Sequence, residues 1–376
     1  MSAKKRYIQC GANFRVNESG NLYQKHLAVG YNSGNLYIGY AVHKLFETER
    51  YFSLWQDYTD SEIDEIRETA DAIVMAASNF INEKSDFEAG ARTLERLKLP
   101  VIVLGIGAQA PDTSAKNLAL KEGTKRFLYL LSELSVTIGV RGEYTAEILN
   151  GLGIKNCTVI GCPTYYINRN ENFAVNVKRL EKDEEFAPVL NYSYLTQKCD
   201  EAIYKYAFQN KLDVIGQSQL IENHWKQGVP IDPQNEKLAS HEKNVAQHYT
   251  NILGSDIDEI KRYFQNHFYQ YYDVEQWAKE IRKYHFSFGT RFHGNMIAFQ
   301  NGVPALLVTH DSRTQELAEF CNIPYLKAAD LENGIHLRQW YSELDYGKLN
   351  REYPLKYKAY KEFLRANHFD EVDVLL

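Results

Sequence analysis

The chain has 376 residues, 44% of them hydrophobic and 24% charged, a composition that excludes disordered and fibrous classes and at this length predicts two domains with separate cores. Its 43 Lys and Arg against 49 Asp and Glu leave a net charge of -6, so no overall field draws a nucleic acid, and an anionic ligand has to be caught by a local site. There is no signal-peptide pattern and no run of about 18 apolar residues, which predicts a cytoplasmic protein without a transmembrane segment and leaves peripheral attachment to the inner face of the membrane open. The five cysteines (Cys10, Cys157, Cys162, Cys199 and Cys321) are scattered without C-x-x-C spacing, so they predict reduced, mostly buried thiols and no metal centre.

From about Lys5 to Pro163, short apolar runs alternate with longer amphipathic or loop segments, the pattern of a parallel sheet flanked by helices. The clearest strands are Ala72 to Ala77, Val101 to Gly105, Val136 to Val140 and Cys157 to Gly161. Between the last two, Glu143 to Asn150 reads as a helix closed by Gly151. The polar, charged stretch 168–186 predicts a linker. It divides the chain into a Rossmann-like domain over 1–167, a second over 187–349, and a tail over 350–376. In the second half Val189 to Tyr192 and Leu212 to Gly216 read as strands, and Glu222 to Asn251 has no assignable pattern. Helical spacing follows over Ser255 to Tyr272 and Val274 to Tyr284. Then come a strand at Phe286 to Gly289, a helix from about His293 to Gln300, a strand at Ala305 to Thr309 and a helix from Thr314 to Phe320. The tail carries Tyr353, Tyr357, Tyr360, Phe363 and Leu364 at near-helical spacing, so an amphipathic terminal helix is expected. The fold class is therefore α/β, two doubly wound Rossmann-like domains facing a cleft, with ligands at the carboxyl ends of the strands.

Chemistry concentrates on two neighbouring strand ends of the second half. Thr290, Arg291 and His293 occupy the turn between a strand and a helix start, where free N–H groups and the positive helix end favour an anion. Arg291 adds a fork of charge-assisted donors. His293 stands where the helix dipole disfavours its imidazolium unless a bound anion compensates. The next strand ends in His310, Asp311, Ser312 and Arg313. For any one of these residues, an ion pair or a helix cap explains it as well as a ligand does; four or five together resemble a site. In the first half, Arg141 ends a strand before a helix and either faces this site across the cleft or pairs with Glu143 or Glu147. Residues 105–110, GIGAQA, satisfy the glycine spacing of a dinucleotide fingerprint. Pro111, Asp112, Thr113 and Ser114 follow where a helix should open, so a tight turn leaving Gln109 near the cleft fits better than a nicotinamide site.

Three blocks carry a family resemblance. GTRFHGNMIAFQNGVPALLVTHDSRTQEL, from Gly289, resembles the Arg-x-His segment of polysaccharide pyruvyltransferases and the Gly-x-Pro strand after it. SVTIGVRGEYTAEILNGLGIKNCTVIGCPTYY, from Ser135, resembles the family's block of a strand ending in Arg, a helix, a glycine turn and a strand ending in Gly-x-Pro. VIVLGIGAQAP, from Val101, resembles the Gly-rich strand end of the same first domain. The chain departs from the commoner pattern in GNLYIGYAV, which has no Asp after Gly39, and in ASNFI from Ala77, where many members carry a glycine run. Both departures lie in the presumed acceptor half and leave the acceptor sugar undetermined.

The resemblance implies a two-domain fold like that of B-type glycosyltransferases. It also implies transfer of a pyruvyl group from phosphoenolpyruvate to a sugar or glycan hydroxyl in polysaccharide biosynthesis, with no separate cofactor. On that reading Arg291, Arg141 and Arg313, aided by Thr290 and Gln109, hold the donor's phosphate and carboxylate. His293 is the general acid, and Asp311 or His310 assists the acceptor hydroxyl. Two other readings stay open: a glycosyltransferase of the same architecture using a nucleotide sugar, and a non-catalytic carbohydrate-binding protein. The sequence leaves undecided whether the acceptor is lipid-linked and whether the protein forms a homo-oligomer.

Overall fold

Among the described residues every strand pair is parallel. The computed structural model describes residues 5–181, 184–193, 195, 197–369 and 371–376; Lys182 and Asp183 of the predicted linker, residues 1–4 and Asp370 of the tail lie outside them. The first half supplies β1 (Tyr7–Gly11), β2 (Arg50–Phe52), β3 (Ala72–Ala76), β4 (Val101–Leu104), β5 (Ile138–Val140) and β6 (Cys157–Val159). The second supplies β7 (Pro188–Asn191), β8 (Asp213–Ile215), β9 (Phe268–Tyr269), β10 (Phe286–Gly289), β11 (Ala305–Thr309) and β12 (Tyr325–Lys327). The strands AIVMA, VIVL and ALLVT are buried throughout, as strands covered by helices on both faces must be.

The first sheet has the order β2-β1-β3-β4, and the pair β5-β6 joins its edge through a bridge between Ile106 and Val140. The second has the order β12-β11-β10-β7-β8-β9. In each, the chain starts in the middle, winds outward to one side and returns to wind to the other. The two Rossmann-like units thus each have a switch point, between β1 and β3 and between β7 and β10, and a crevice opens beyond the carboxyl ends of those strands.

Several elements differ from the sequence reading for physical reasons. Residues 222–251 lie in two helices, Leu220–Gln227 and Glu236–Leu253, with Gly228 in the left-handed conformation closing the first. The second buries only Val245 and Tyr249, too few positions to print a helical period. The helix expected over Ser255 to Tyr272 ends at His267, and Phe268 and Tyr269 form an edge strand beside β8. After Gly105 no helix opens until Glu122. The helix Gly347–Ala366 begins in the second half but packs on the first. Tyr360 stacks on Tyr166 with ring centroids 4.2 Å apart, and the Asn367 side chain accepts from the Thr137 N–H at 3.3 Å. Tyr353, Tyr357, Tyr360 and Phe363 share one core with Ile160 and Tyr165 of the first half and Met296 and Phe299 of the second.

Candidate active site

The turn after β10 is built before it is functional. A side chain at Gly289, whose φ is +148°, would place its Cβ 1.8 Å from the Asn191 carbonyl oxygen, so only glycine lets β10 run this close to β7. Asn191 then accepts from the Arg291 N–H at 2.7 Å and donates to Asn295 at 3.1 Å, while Asn295 donates to the carbonyls of Gly289 and Arg291 at 2.9 and 3.2 Å. The buried amides of Asn191 and Asn295 thereby replace the missing ladder and helix bonds of the turn. The guanidinium of Arg291 is held by the carbonyls of Tyr192 at 3.2 Å and Ser193 at 2.9 Å and by the Ser218 hydroxyl at 2.7 Å. Thr290 faces inward: its hydroxyl donates to Asp200 at 2.6 Å, and both residues are fully buried.

His293 is 9% exposed and stands at the first turn of the helix Phe292–Gln300. Its Nε2 lies 3.4 Å from the Cys162 thiol. The Arg-Phe-His and Gly-Cys-Pro segments, 131 residues apart, thus meet at one atom pair. Burial, and then the fields of Arg141, Arg313 and Arg291, push the His293 pKa well below the ordinary value. Both effects favour the neutral imidazole. Arg141 is 1% exposed and donates from Nε to the Gly105 carbonyl at 2.9 Å. A Cβ at Gly107 would sit 2.5 Å from its Cδ, so this glycine makes room for the guanidinium rather than for a dinucleotide. Glu147 pairs with Lys116 instead of Arg141, and among the described residues no carboxylate lies within 4.0 Å of Arg141. A buried cation without a contacting carboxylate is costly: burial drives its pKa down, and Glu316 and Asp311 oppose this only from a distance.

The turn after β11 reaches across to the first half. Asp311 caps the helix Ser312–Cys321 through the Thr314 N–H at 2.8 Å and accepts from the Gln109 amide at 3.1 Å. Ser312 and Ala110 exchange two further bonds, at 2.9 and 3.1 Å. Glu316, on the same helix, accepts from the Thr145 N–H at 2.6 Å and its hydroxyl at 2.8 Å, yet burial outweighs these bonds and raises its pKa to about 7. Arg313 lies 3.3 Å from Asp311, and its Nε is buried without a hydrogen-bond partner among the described residues. His310 is buried, 3.9 Å from the same carboxylate, and burial lowers its pKa.

Between the halves lies a cleft of about 1330 Å³. Of the sequence-predicted residues, Gln109 and Arg313 line it; Ser193 and Ser218, which hold Arg291, form the adjoining wall. Arg291, Arg141 and His293 stand behind that wall, and Asp311 reaches it through Gln109 and Arg313. Thr290 and His310 serve the interior of the second half. Sequence reasoning missed Asn191 and Asn295, which fix the turn, Cys162 at the histidine, Glu316 between the halves and Glu222 in the cleft wall. The Asn at a strand end and the Asn four residues after Arg291 were the legible signals. Nothing in the sequence pairs Cys162 or Glu316 with its partner.

The chain is similar to several solved structures at low identity. The Staphylococcus aureus MnaA–UDP structure is 12% identical over 99% of this chain and 98% of its own, with a TM-score of 0.45. UDP-GlcNAc 2-epimerase of Neisseria meningitidis bound to UDP-GlcNAc is 12% identical over 96% and 99%, at 0.45, and Anabaena Alr3699/HepE with UDP is 10% identical over 98% and 97%, at 0.42. At this likeness none of them bears on substrate or chemistry. No curated protein matches the chain. The model of the polysaccharide pyruvyl transferase family matches residues 27–312, a stretch well over half the chain that holds Gln109, Arg141, Arg291, His293 and Asp311, and the chain belongs to that family.

Proposed function

We propose that this transferase takes its pyruvyl group from phosphoenolpyruvate, releases phosphate, and joins the group to hydroxyls of a sugar. The observation that carries this reading is a buried histidine in the fields of Arg141, Arg313 and Arg291, with no carboxylate within 4.0 Å of Arg141 among the described residues. Such a centre suits a small ligand bearing a phosphate and a carboxylate, which supplies the missing negative charge. No helix of the described chain is long and apolar enough to cross a membrane, and the proposed donor is a cytosolic metabolite.

In this mechanism Arg291, Arg141 and Arg313 hold the two anionic groups. The bound charge offsets the arginine fields, His293 takes up a proton, and it delivers that proton to the methylene carbon of the enol. A sugar hydroxyl attacks the oxocarbenium-like carbon next to it, losing its proton to a base in the cleft, for which Asp311 and His310 are the nearest of the predicted groups. The carbon–oxygen bond to phosphate then breaks, phosphate leaves, and a second hydroxyl closes the ketal with loss of its own proton. A nucleotide sugar would place one diphosphate here and need room for a base as well.

Proton uptake tests the scheme directly. Calorimetric titration with phosphoenolpyruvate near pH 7, repeated in buffers of different ionisation enthalpy, is expected to report uptake approaching one proton per donor bound, and His293→Gln to abolish the uptake. Donor binding without any uptake would remove His293 as the acid.

A further inference from the structure

Arg313, with Arg291 behind Ser193 and Ser218, accounts for only one end of a cleft of about 1330 Å³. From that end a continuous track leads outward along the first half. Gln109, held by Asp311, is hydrogen-bonded to the Asn79 side chain, and Asn82 donates to the Asn79 carbonyl at 2.9 Å. Next to these amides the rings of Phe80 and Phe87 lie 4.8 Å apart, and Phe87 supports Trp55 at 4.4 Å. Trp55 is 57% exposed, with Phe87 beneath it and its indole on the cleft. Its loop is fixed, since the Ser53 hydroxyl accepts from the Trp55 N–H at 3.1 Å and the Ser53 N–H donates to Tyr58 at 2.8 Å. An indole backed by Phe87 and left open is a platform for an amphipathic ring.

The facing wall belongs to the second half and contains Glu222, 3% exposed. One carboxyl oxygen accepts from the Tyr249 hydroxyl at 2.7 Å, and that hydroxyl lies 2.6 Å from Tyr192. Beyond Tyr249 and its own backbone N–H the carboxyl has no other side-chain partner among the described residues, and burial raises its pKa to about 7, so a near-neutral carboxyl at the cleft wall is left to bond a ligand hydroxyl. Charge is the remaining constraint. Among the described lining residues Arg313 and Glu222 are the only Arg, Lys, Asp or Glu, and they stand at the donor end and in the facing wall. Three histidines also line it: His26, whose pKa burial and the Arg291 field lower to about 4, His241, and His248, which is bonded to Tyr204. A uronate, or a diphosphate on a sugar, would lie along this track beyond Arg313 with no Arg or Lys and next to a carboxyl, at a cost that hydroxyls do not incur.

We infer that the cleft beyond Arg313 is the acceptor subsite for an uncharged oligosaccharide, with Trp55 as its stacking platform and Glu222 accepting one of its hydroxyls. The inference rests on the pyruvyl-transfer reading for the word acceptor, and on the cleft alone for the neutral glycan.

The test is an array of immobilised glycans, comprising neutral oligosaccharides, uronate-containing oligosaccharides and diphosphate-linked sugars, probed with the full chain. Melting with and without phosphoenolpyruvate is measured in parallel. Retention confined to neutral glycans, reduced tenfold or more in a Trp55→Ala chain of parental melting temperature and reduced also by Glu222→Gln, is the expected result. Preference for uronates or diphosphates, silence across the array, or retention indifferent to Trp55 would each overturn it. If neutral glycans bind through Trp55 while phosphoenolpyruvate does not stabilise the chain, the donor reading fails and the subsite stands. The converse pattern removes the subsite and leaves the donor reading intact.

Discussion

The turns after β10 and β11 are built from the same kinds of residue and do opposite things. Both carry an Arg and a His at the start of a helix, on neighbouring strands of one sheet. The first is tied mainly to its own half and reaches the other through one residue: Thr290 bonds Asp200, Arg291 bonds the Ser193 carbonyl just beyond β7, and His293 meets Cys162. The second is turned outward, with Asp311 on Gln109, Ser312 on Ala110 and Glu316 on Thr145, every one of them a partner in the first half. One turn makes a rigid, electrostatically strained centre and the next fastens the two halves over it. Sequence motifs alike in composition therefore divide into chemistry and assembly only when their partners are known.

That contrast can be broken at each turn, and the largest expected effect is at the first. His293→Gln should lower turnover by roughly 10²- to 10⁴-fold, the usual contribution of a positioned acid, while phosphoenolpyruvate affinity stays within a few-fold. Steady-state rates and calorimetry on the same preparation check this, and near-normal activity would remove the assignment. Thr290→Val in the same turn should act on stability instead. It deletes a hydrogen bond to a buried carboxylate and should cost about 1–3 kcal/mol in denaturant unfolding, and a neutral result would mean that Thr290 faces the ligand.

The remaining effect sharpens the second turn. Burial raises the Glu316 pKa from an ordinary 4.5 to about 7 in the folded protein, so between those values the folded state holds a proton that the unfolded chain releases. The stabilisation is complete below about pH 4.5 and is lost as pH rises through 7. Glu316→Gln, which keeps an acceptor for the Thr145 N–H, should flatten the fall in unfolding free energy between pH 5 and 8 by up to about 2–3 kcal/mol. An unchanged slope would show that Glu316 is ionised throughout and that its link to Thr145 is an ordinary charged cap.

Much of this architecture was legible because it rests on local signals. Buried runs such as AIVMA and VIVL declare parallel strands, and the glycines at 105 and 107 declare a tight turn. The sequence pointed to Arg291 and His293 because a helix start after a strand is a local fact. The interior orientation of Thr290 was not legible, since Asp200 lies 90 residues away. Nor was the freedom of Arg141 from Glu147, since Arg141 turns into the core to bond the Gly105 carbonyl while Glu147 stays at the surface with Lys116. Residues 222–251 hid two helices because a helix that buries only Val245 and Tyr249 prints almost no period. Glu222 looked like one more surface acid in a polar stretch, and its burial comes from Tyr192 and Tyr249, which the sequence keeps far apart.

The central claim, that three arginines around a neutral histidine form a site for a small dianionic donor, is tested most directly by ligand-dependent melting. A ligand that binds only the folded state adds about 2.7 kcal/mol at 100 times its dissociation constant, enough to raise the melting temperature measurably. Phosphoenolpyruvate is expected to produce that rise, UDP- and GDP-sugars little or none, and Arg291→Lys and Arg141→Ala to shrink it, because an ammonium cannot reproduce the planar two-pronged contact and an alanine makes none. Stabilisation by a nucleotide sugar without stabilisation by phosphoenolpyruvate would contradict the account.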